Sequence, residues 1–261
     1  MPDSTVPLAT GVTLSVFAQG DPADPAVVLL PGPTDSWRSY APVLDHLPAR
    51  VRAIAVSQRG HGDSDKPATG YGVGDYAADV PALLDALGID RAVLVGHSGS
   101  CLTARRVALD HPERVAGLVL EASPTTLRGN AALESFRTNV LAGLADPVDP
   151  AFARSFVTGT SSDRVPPALL DMLAAEVAKV PARVWHETFA GLASYDDTAD
   201  LGRVAAPVLL VWGDDDPIVG REMQEALAAS LRADLRVYPG AGHTPRWEEP
   251  ATFAADLAAF A

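Results

Sequence analysis

A chain of 261 residues is long enough to bury roughly 70% of the surface that it exposes when unfolded, so its core needs neither disulfides nor metals. The formal charge of −13 disfavours nucleic acid and anionic membrane surfaces as partners, and the single cysteine excludes an intrachain disulfide. Of the residues, 48% are hydrophobic, no apolar run approaches about 20 residues, and the first residues show no basic cluster followed by an apolar stretch. We therefore expect a soluble, cytoplasmic protein of one domain, with or without an insertion.

Three strands are predicted in the first third of the chain, at 12–17, 26–30 and 52–56. The first alternates apolar and polar residues, whereas the other two are short apolar runs typical of buried strands. Apolar residues at helical spacing follow the second strand from Trp37 onward. Another helix is predicted over 76–87, with Pro81 near its first turns.

The stretch from 92 to 105 predicts a buried strand, a tight turn and a helix in immediate succession. Ser98 stands at the apex of this turn, and the residues two before and two after it, Gly96 and Ser100, are small enough to avoid a collision. The helix that follows points its free N–H groups and the positive end of its dipole at any charge that forms beside Ser98. Ser98 is therefore the predicted nucleophile.

Strand and helix signals keep alternating up to residue 120, which predicts a mostly parallel, twisted sheet with its chemistry at the carboxyl ends of the strands. The segment 124–197 breaks this alternation, because it holds three stretches of helical spacing and no buried strand. We therefore expect a helical lid over 124–197, inserted into a core of residues 1–123 and 198–261. Ordinary helices that cover the sheet are the alternative.

The alternation resumes with a buried strand at 207–212, which runs into three consecutive aspartates at 214–216. A helix (222–231), a strand (235–238) and a final helix (251–260) follow, and His243 lies in the loop before that final helix. A serine hydroxyl becomes a nucleophile when a neighbouring imidazole removes its proton, and an aspartate stabilises the imidazolium that forms. A serine, an acid and a histidine therefore follow one another along the chain as a candidate catalytic set.

Together these motifs resemble those of the α/β hydrolases. Residues 96–100 are similar to the G-x-S-x-G nucleophile elbow, with a serine in place of the last glycine, and the order serine, acid, histidine is the one that this family uses. The resemblance covers nearly the whole chain and implies an α/β hydrolase fold, with a mostly parallel twisted sheet, helices on both faces and an all-helical lid. It implies a triad of Ser98, Asp216 and His243, since the family places the acid three residues after the glycine that ends this strand. Glu121, at the end of the preceding core strand, is the alternative acid.

The resemblance also implies an oxyanion hole of two backbone N–H groups, one from Gly99 and one from the residue after a His-Gly pair. Pro31 and Gly32 stand where that pair is usual, and the next residue, Pro33, has no N–H to donate. Losing one such donor costs about 2.7 to 4 kcal/mol of transition-state stabilisation. We expect Thr34 to supply the missing donor through its N–H or its hydroxyl. A water molecule, or Gly99 acting alone, is the alternative.

A serine at the elbow, where epoxide hydrolases and haloalkane dehalogenases carry an aspartate, implies acyl transfer through an acyl-enzyme on Ser98. The predicted reaction is hydrolysis of a carboxylic ester or lactone of a small, largely apolar molecule, with Phe136 and Trp185 as candidate substrate contacts. His61 is expected to brace its own loop by hydrogen bonds.

No cofactor is expected, and no metal, because no two histidines are spaced as ligands on a helix. The expected partner is the small-molecule substrate, and the sequence does not predict an oligomeric state. Three alternatives to ester hydrolysis stay open: a ligand receptor of the same fold, a non-hydrolytic lyase and a carbon–carbon bond hydrolase.

Overall fold

The computed structural model describes residues 4–261 and contains an eight-stranded sheet. The strands are β1 (Ser4–Pro7), β2 (Thr13–Gln19), β3 (Ala26–Leu30), β4 (Arg52–Val56), β5 (Ala92–His97), β6 (Val115–Glu121), β7 (Val208–Gly213) and β8 (Asp234–Tyr238). Their spatial order is β1-β2-β4-β3-β5-β6-β7-β8, in which β3 to β8 run parallel and the two N-terminal strands pair antiparallel. The carboxyl ends of β3, β5, β6 and β7 therefore meet at one edge of the sheet, where α/β proteins place their ligands.

The helices are α1 (Ala41–Leu44), α2 (Val73–Ala86), α3 (Ser100–Asp110), α4 (Ala131–Asn139), α5 (Pro150–Gly159), α6 (Pro167–Val177), α7 (Ala182–Ser194), α8 (Arg221–Leu231), α9 (Pro245–Glu248) and α10 (Pro250–Phe260). Over the described range, none of them is both long and apolar enough to cross a bilayer.

Alternate residues of the central strands enter two separate apolar cores, as the pleat of a strand requires. Val28 and Leu30 of β3 pack with residues of α2, α3 and α8 on one face of the sheet. Val27 and Leu29 pack with residues of α1 and α10 on the other face. The prediction of a mostly parallel sheet with helices on both faces is confirmed.

Helix α2 starts earlier than its apolar spacing predicted. The Asp75 carboxylate accepts a hydrogen bond from the Gly72 N–H at 2.9 Å, and this interaction fixes the start of the helix at Val73. Pro81 consequently lies inside the helix rather than near its first turns, which corrects the prediction. A proline in that position leaves the carbonyl four residues earlier without its helical donor.

Four helices, α4 to α7, lie between β6 and β7, where three were predicted. The additional helix, α5, begins with a local signal: the Asp149 side chain accepts a hydrogen bond from the Ala151 N–H at 2.8 Å, and a proline occupies the first helical position. These helices share an apolar core with Leu102 of α3 and Trp247 of α9. The division into a core of residues 1–123 and 198–261 and a lid of 124–197 stays a prediction, and residues 1–3 lie outside the described part of the chain.

Candidate active site

Ser98 occupies a strained position between β5 and α3. Its φ of 52° lies in the left-handed region, which a non-glycine residue seldom adopts, and its N–H donates to the Glu121 carbonyl at 2.9 Å. A Cβ on Gly96 would lie 2.8 Å from the Ser100 carbonyl oxygen and 2.9 Å from Cys101 Cα, so only glycine fits there. The turn therefore has the close backbone approach that the sequence predicts.

Ser100 replaces the last glycine of the motif and finds partners for its additional hydroxyl. Its Oγ donates to the Pro31 carbonyl at 2.6 Å and accepts from Gln58 Nε2 at 2.9 Å. Because both hydrogen bonds are buried, this departure from the family pattern ties the elbow to the end of β3 and leaves no polar atom unpaired.

Three side chains from distant parts of the chain form one hydrogen-bonded row. His243 Nδ1 lies 2.8 Å from Asp216 Oδ2, and His243 Nε2 lies 3.0 Å from Ser98 Oγ. Since a carboxylate only accepts, Nδ1 carries the proton, and Nε2 is the acceptor for the Ser98 hydroxyl. The row has the order and the tautomer that a general base beside a serine requires.

Two backbone amides hold the Asp216 carboxylate from its other side. Asp216 Oδ1 accepts from the N–H groups of Ile218 at 2.8 Å and Val219 at 3.0 Å. Both other aspartates of this loop, Asp214 and Asp215, are exposed, and Asp214 is instead bonded to the Gly240 N–H at 2.6 Å. The geometry thus brings one of the three consecutive aspartates to the histidine.

His97 supports the loop that carries His243. Its Nε2 donates to the His243 carbonyl at 3.0 Å. The His97 side chain is buried, and its ring packs against the His243 ring with the two centroids 5.0 Å apart. Burial, together with the charges of Arg246 and His243, lowers the pKa of His97 well below its usual range, so it is neutral.

Glu121, the alternative acid, has a different partner. Its Oε1 accepts from the Arg246 N–H at 2.8 Å and its Oε2 accepts from Arg246 Nη1 at 3.1 Å. The structure therefore brings Asp216, and not Glu121, into hydrogen-bond contact with His243. Burial raises the pKa of Glu121, and the Arg246 guanidinium opposes that rise.

A second carboxylate of this buried cluster was not predicted. Asp35 Oδ2 accepts from Arg246 Nη2 at 2.9 Å, so one guanidinium pairs with two carboxylates. Burial raises the pKa of Asp35 to about 6, against the attraction of Arg246. A sequence signal for Asp35 was present, because it lies in the loop at the carboxyl end of β3, but its partner Arg246 lies 211 positions away in the sequence.

The loop of the expected oxyanion hole forms a tight turn. The Asp35 N–H donates to the Gly32 carbonyl at 3.0 Å, and Thr34, the third residue of the turn, has a φ of 77°. Proline in second place and a positive φ in third place are typical of a type II turn. A Cβ on Gly99 would lie 2.8 Å from Pro33 Cγ, so the proline ring abuts the residue after Ser98.

The hydroxyl of Thr34 does not face the site. It is buried with no hydrogen-bond partner, and Thr34 is not among the residues that line the neighbouring cavity. No partner for the Thr34 N–H is found among residues 4–261 either. Of the two groups that the sequence offered as a donor, the backbone N–H remains the candidate.

A cavity of about 370 Å³ opens beside Ser98 and His243. Helices α4, α5 and α7 contribute apolar side chains to its wall (Leu133, Phe136, Phe156, Val157, Phe189), and the loop after β7 and α8 add others (Pro217, Ile218, Val219, Met223). Asp35 and His243 are the ionisable residues of this lining, which contains no lysine or arginine from the described part of the chain.

The two predicted substrate contacts have different positions. Phe136 lines the cavity, and its contact with substrate stays a prediction. Trp185 does not, because its ring is completely buried behind Phe156 and Phe189, which line the cavity in its place. All of these rings lie on neighbouring helix faces, so spacing alone did not tell which would face the cavity.

His61 is not part of the hydrogen-bonded row of Ser98, His243 and Asp216. His61 Nδ1 donates to the Arg59 carbonyl at 2.7 Å within its own loop, and burial lowers its pKa to about 4. Over residues 4–261 there is no group of three or more His, Cys, Asp or Glu side chains that could hold a metal ion.

Comparisons with known proteins agree with this architecture. A family model described as alpha/beta hydrolase fold matches residues 25–250. A non-heme chloroperoxidase of Streptomyces lividans is 32% identical, over 87% of this chain and 86% of its own. A 2-(acetamidomethylene)succinate hydrolase of Mesorhizobium japonicum is also 32% identical, over 89% of this chain and 85% of its own. The crystal structure of an esterase from Rhodococcus superimposes with a TM-score of 0.83 at 25% identity and covers 100% of this chain and 98% of its own.

Proposed function

Because this chain belongs to the α/β hydrolase fold family, we propose that it is a serine hydrolase that cleaves the ester or lactone bond of a small, uncharged and largely apolar substrate. The observation that carries the proposal is the row from Asp216 through His243 to Ser98, with contacts of 2.8 and 3.0 Å, beside an apolar cavity. The similarity to an esterase of known structure supports it.

In the proposed reaction the Ser98 hydroxyl attacks the carbonyl carbon while its proton moves to His243 Nε2. Asp216 stabilises the imidazolium and keeps the proton on Nδ1. Collapse of the tetrahedral intermediate releases the alcohol, which takes the proton from His243, and leaves an acyl-enzyme on Ser98. Water, deprotonated by His243, then hydrolyses the acyl-enzyme and releases the acid.

The negative oxygen of the intermediate needs two hydrogen-bond donors. We assign them to the N–H groups of Gly99 and Thr34. The positive φ of Thr34 turns the peptide that joins it to Pro33, and the N–H of that peptide has no protein partner over the described chain. A non-glycine residue at positive φ costs of order 1–3 kcal/mol, a strain that persists in proteins mainly at functional sites.

The cavity lining favours neutral substrates. An anionic group would enter a site that offers no lysine or arginine in the described lining and already contains the Asp35 carboxyl group. The Mesorhizobium relative is named for a succinate derivative, which carries two carboxylates at neutral pH. We therefore propose that this chain and that relative differ in substrate charge.

The experiment is turnover of p-nitrophenyl esters of increasing acyl length by the protein and by Ser98→Ala. We expect hydrolysis of short and medium chains, and a loss of at least about a thousandfold in Ser98→Ala. The matched control is Ser100→Ala, which removes a neighbouring serine that is bonded to Pro31 and Gln58 instead of His243. A fluorophosphonate probe should label the protein and Ser100→Ala but not Ser98→Ala.

The alternatives predict other outcomes of these assays or of a separate assay with lactones and carbon–carbon substrates. Labelling of Ser98 without turnover of any ester or lactone would favour a ligand receptor. Carbon–carbon cleavage by water or by elimination would favour a hydrolase of that class or a lyase. If the probe does not label the protein and no substrate is turned over, an activated serine is contradicted.

A further inference from the structure

The wall of the apolar cavity contains one buried carboxyl group besides the catalytic row. Asp35 is only 6% exposed, and it lines the cavity together with Ser98 and His243. Its Oδ2 accepts from Arg246 Nη2, whereas its Oδ1 has no hydrogen-bond partner in the part of the chain that the structure describes. A molecule in the cavity can therefore reach an acceptor that the protein leaves unpaired.

Asp35 lies on the side of the cavity that would hold the substrate carbonyl. It follows Pro33 by two residues, and the Pro33 ring abuts Gly99, whose N–H is one proposed oxyanion donor. A Cβ on Gly32, in the same turn, would lie 2.5 Å from His97 Nδ1 and 3.5 Å from Asp35 Oδ2, so this carboxylate is next to the elements that hold His243. A substrate whose carbonyl carbon meets Ser98 and whose carbonyl oxygen meets the Gly99 N–H would place the atoms bonded to that carbon nearest to this wall.

The chemistry of an unpaired carboxylate oxygen in the wall of an apolar cavity selects its ligand. When ionised it accepts hydrogen bonds and cannot donate, and an apolar neighbour that displaces water from it leaves it unsatisfied at a cost. Arg246 holds the group in place, since its guanidinium is itself fixed by Glu121 and stacked over Trp247. Because Arg246 holds the carboxylate in this position, a ligand without a hydrogen-bond donor leaves Oδ1 unsatisfied.

We propose that Asp35 is a specificity-determining residue, and that the substrate is an ester that carries an uncharged hydrogen-bond donor, a hydroxyl group, on the carbon next to the scissile carbonyl. This inference rests on the proposed function and narrows its substrate class. The remainder of the substrate is apolar and occupies the space between Phe136, Phe156 and Phe189.

The test compares two esters that differ by one hydroxyl, methyl phenylacetate and the two enantiomers of methyl mandelate. The readout is the ratio of kcat/KM for the better mandelate enantiomer to kcat/KM for phenylacetate, measured for the protein and for Asp35 variants. Damage to the catalytic row lowers both values together, whereas loss of recognition changes their ratio. The two esters also differ in intrinsic reactivity, but this difference is the same for every variant and cancels when the ratios of the variants are compared.

Asp35→Asn gives the sharpest prediction because it keeps the shape of the side chain. Arg246 can only donate, so the amide oxygen must face Arg246 and the amide NH₂ must face the cavity. The acceptor becomes a donor, and the ratio should fall by about 10- to 100-fold, the effect typical of a hydrogen bond to a charged group. Asp35→Ala should lower the ratio as well, and Asp215→Asn, an exposed carboxylate outside the cavity lining, should leave it unchanged.

Binding to Ser98→Ala, measured by calorimetry, separates the inference from the proposed function. A preference of Ser98→Ala for methyl mandelate that disappears in Ser98→Ala/Asp35→Asn supports the role of Asp35 even if the active protein hydrolyses neither ester. Hydrolysis of both esters with a ratio that is the same in the protein, Asp35→Asn and Asp35→Ala overturns the inference and leaves the ester hydrolase standing. Equal binding of the two esters to Ser98→Ala also overturns it.

Discussion

The backbone N–H of Arg246 donates to Glu121 Oε1 at 2.8 Å, so a carboxylate at the end of β6 holds the turn that begins just after His243. The side chain of Arg246 returns to the same carboxylate and continues to Asp35 at the end of the loop after β3. One guanidinium therefore joins three of the segments that carry the candidate site. Because all three partners are buried, the pairing fixes the loops relative to one another more firmly than exposed charges would.

Removing one member of this cluster should destabilise the protein strongly. Glu121→Ala leaves Arg246 with a single buried partner, and breaking a buried pair in this way typically costs about 3–5 kcal/mol. Glu121→Gln keeps an acceptor for the Arg246 N–H and should cost less. Urea unfolding of both variants measures the difference, and a cost below about 1 kcal/mol for Glu121→Ala would contradict a structural role for the cluster.

The stability of the protein should depend on the ionisation of Asp35. Its pKa rises from 3.8 to about 6 on folding, because burial outweighs the attraction of Arg246; Glu121 adds to the rise and His243 opposes it. A raised carboxyl pKa means that folding favours the protonated form, so the stabilisation present below pH 3.8 is lost as the pH rises through 6. At about 1.4 kcal/mol per pKa unit, the loss amounts to about 3 kcal/mol.

In Asp35→Asn the side chain cannot ionise, so the variant does not lose stability as the pH rises through 6. The free energy of unfolding of the variant, relative to that of the protein, should therefore increase between pH 4 and pH 7.5. His61 titrates in the opposite sense, since its pKa falls to about 4 and its neutral form is the stable one, but it is present in both proteins and cancels. A difference that is constant with pH would show that Asp35 titrates normally.

The second oxyanion donor can be tested at Pro33 and Thr34. If the Thr34 N–H already donates, Pro33→Ala, which restores an N–H at the family's usual position, should change kcat by less than about threefold. A gain of a hundredfold to a thousandfold would instead show that the second donor was missing. Thr34→Val removes the hydroxyl and keeps the N–H, so its kcat should also stay near that of the protein, because the hydroxyl lies outside the cavity lining.

The strained backbone of Thr34 predicts an unusual effect on stability. A φ of 77° suits glycine, so Thr34→Gly should be neutral or stabilise the protein despite the loss of a buried side chain. Thr34→Val retains a β-branched side chain at the same φ and serves as the matched control. Thermal unfolding of the two variants tests this prediction. A lower melting temperature for Thr34→Gly than for Thr34→Val would contradict a destabilising strain at Thr34.

Local patterns were sufficient to predict the parts of the site that depend on neighbouring residues. The turn around Ser98 follows from small residues at two positions, and strands β2 to β8 follow from short apolar or alternating runs with bounds close to those observed, whereas β1 was not predicted. The pairing of Asp35 with Arg246 has no local signature, because each is an ordinary charged residue until the sheet brings them together across 211 positions. Trp185 and Phe189 illustrate the same limit on one helix, where neighbouring helices determine which ring reaches the cavity.

Asp216→Asn should nearly abolish activity while leaving the fold intact. Asp216 Oδ1 accepts from the N–H groups of Ile218 and Val219, so the amide oxygen of an asparagine must take that place and its NH₂ must face His243 Nδ1. Nδ1 then has to accept, and the ring proton moves to Nε2, where it faces Ser98 and prevents the ring from acting as a base. In a serine protease with the same three side chains, the corresponding Asp→Asn substitution lowers kcat by about 10⁴ through this change of tautomer.

The control for this substitution is Asp215→Asn, an exposed carboxylate one position earlier, which should retain full activity. The melting temperature of Asp216→Asn should stay within a few degrees of that of the protein, because every hydrogen bond of the carboxylate has a counterpart in the amide. If Asp216→Asn kept more than about a tenth of the activity, another group would have to orient His243. Glu121, at the end of the neighbouring strand and bonded to Arg246, would be the first residue to substitute next.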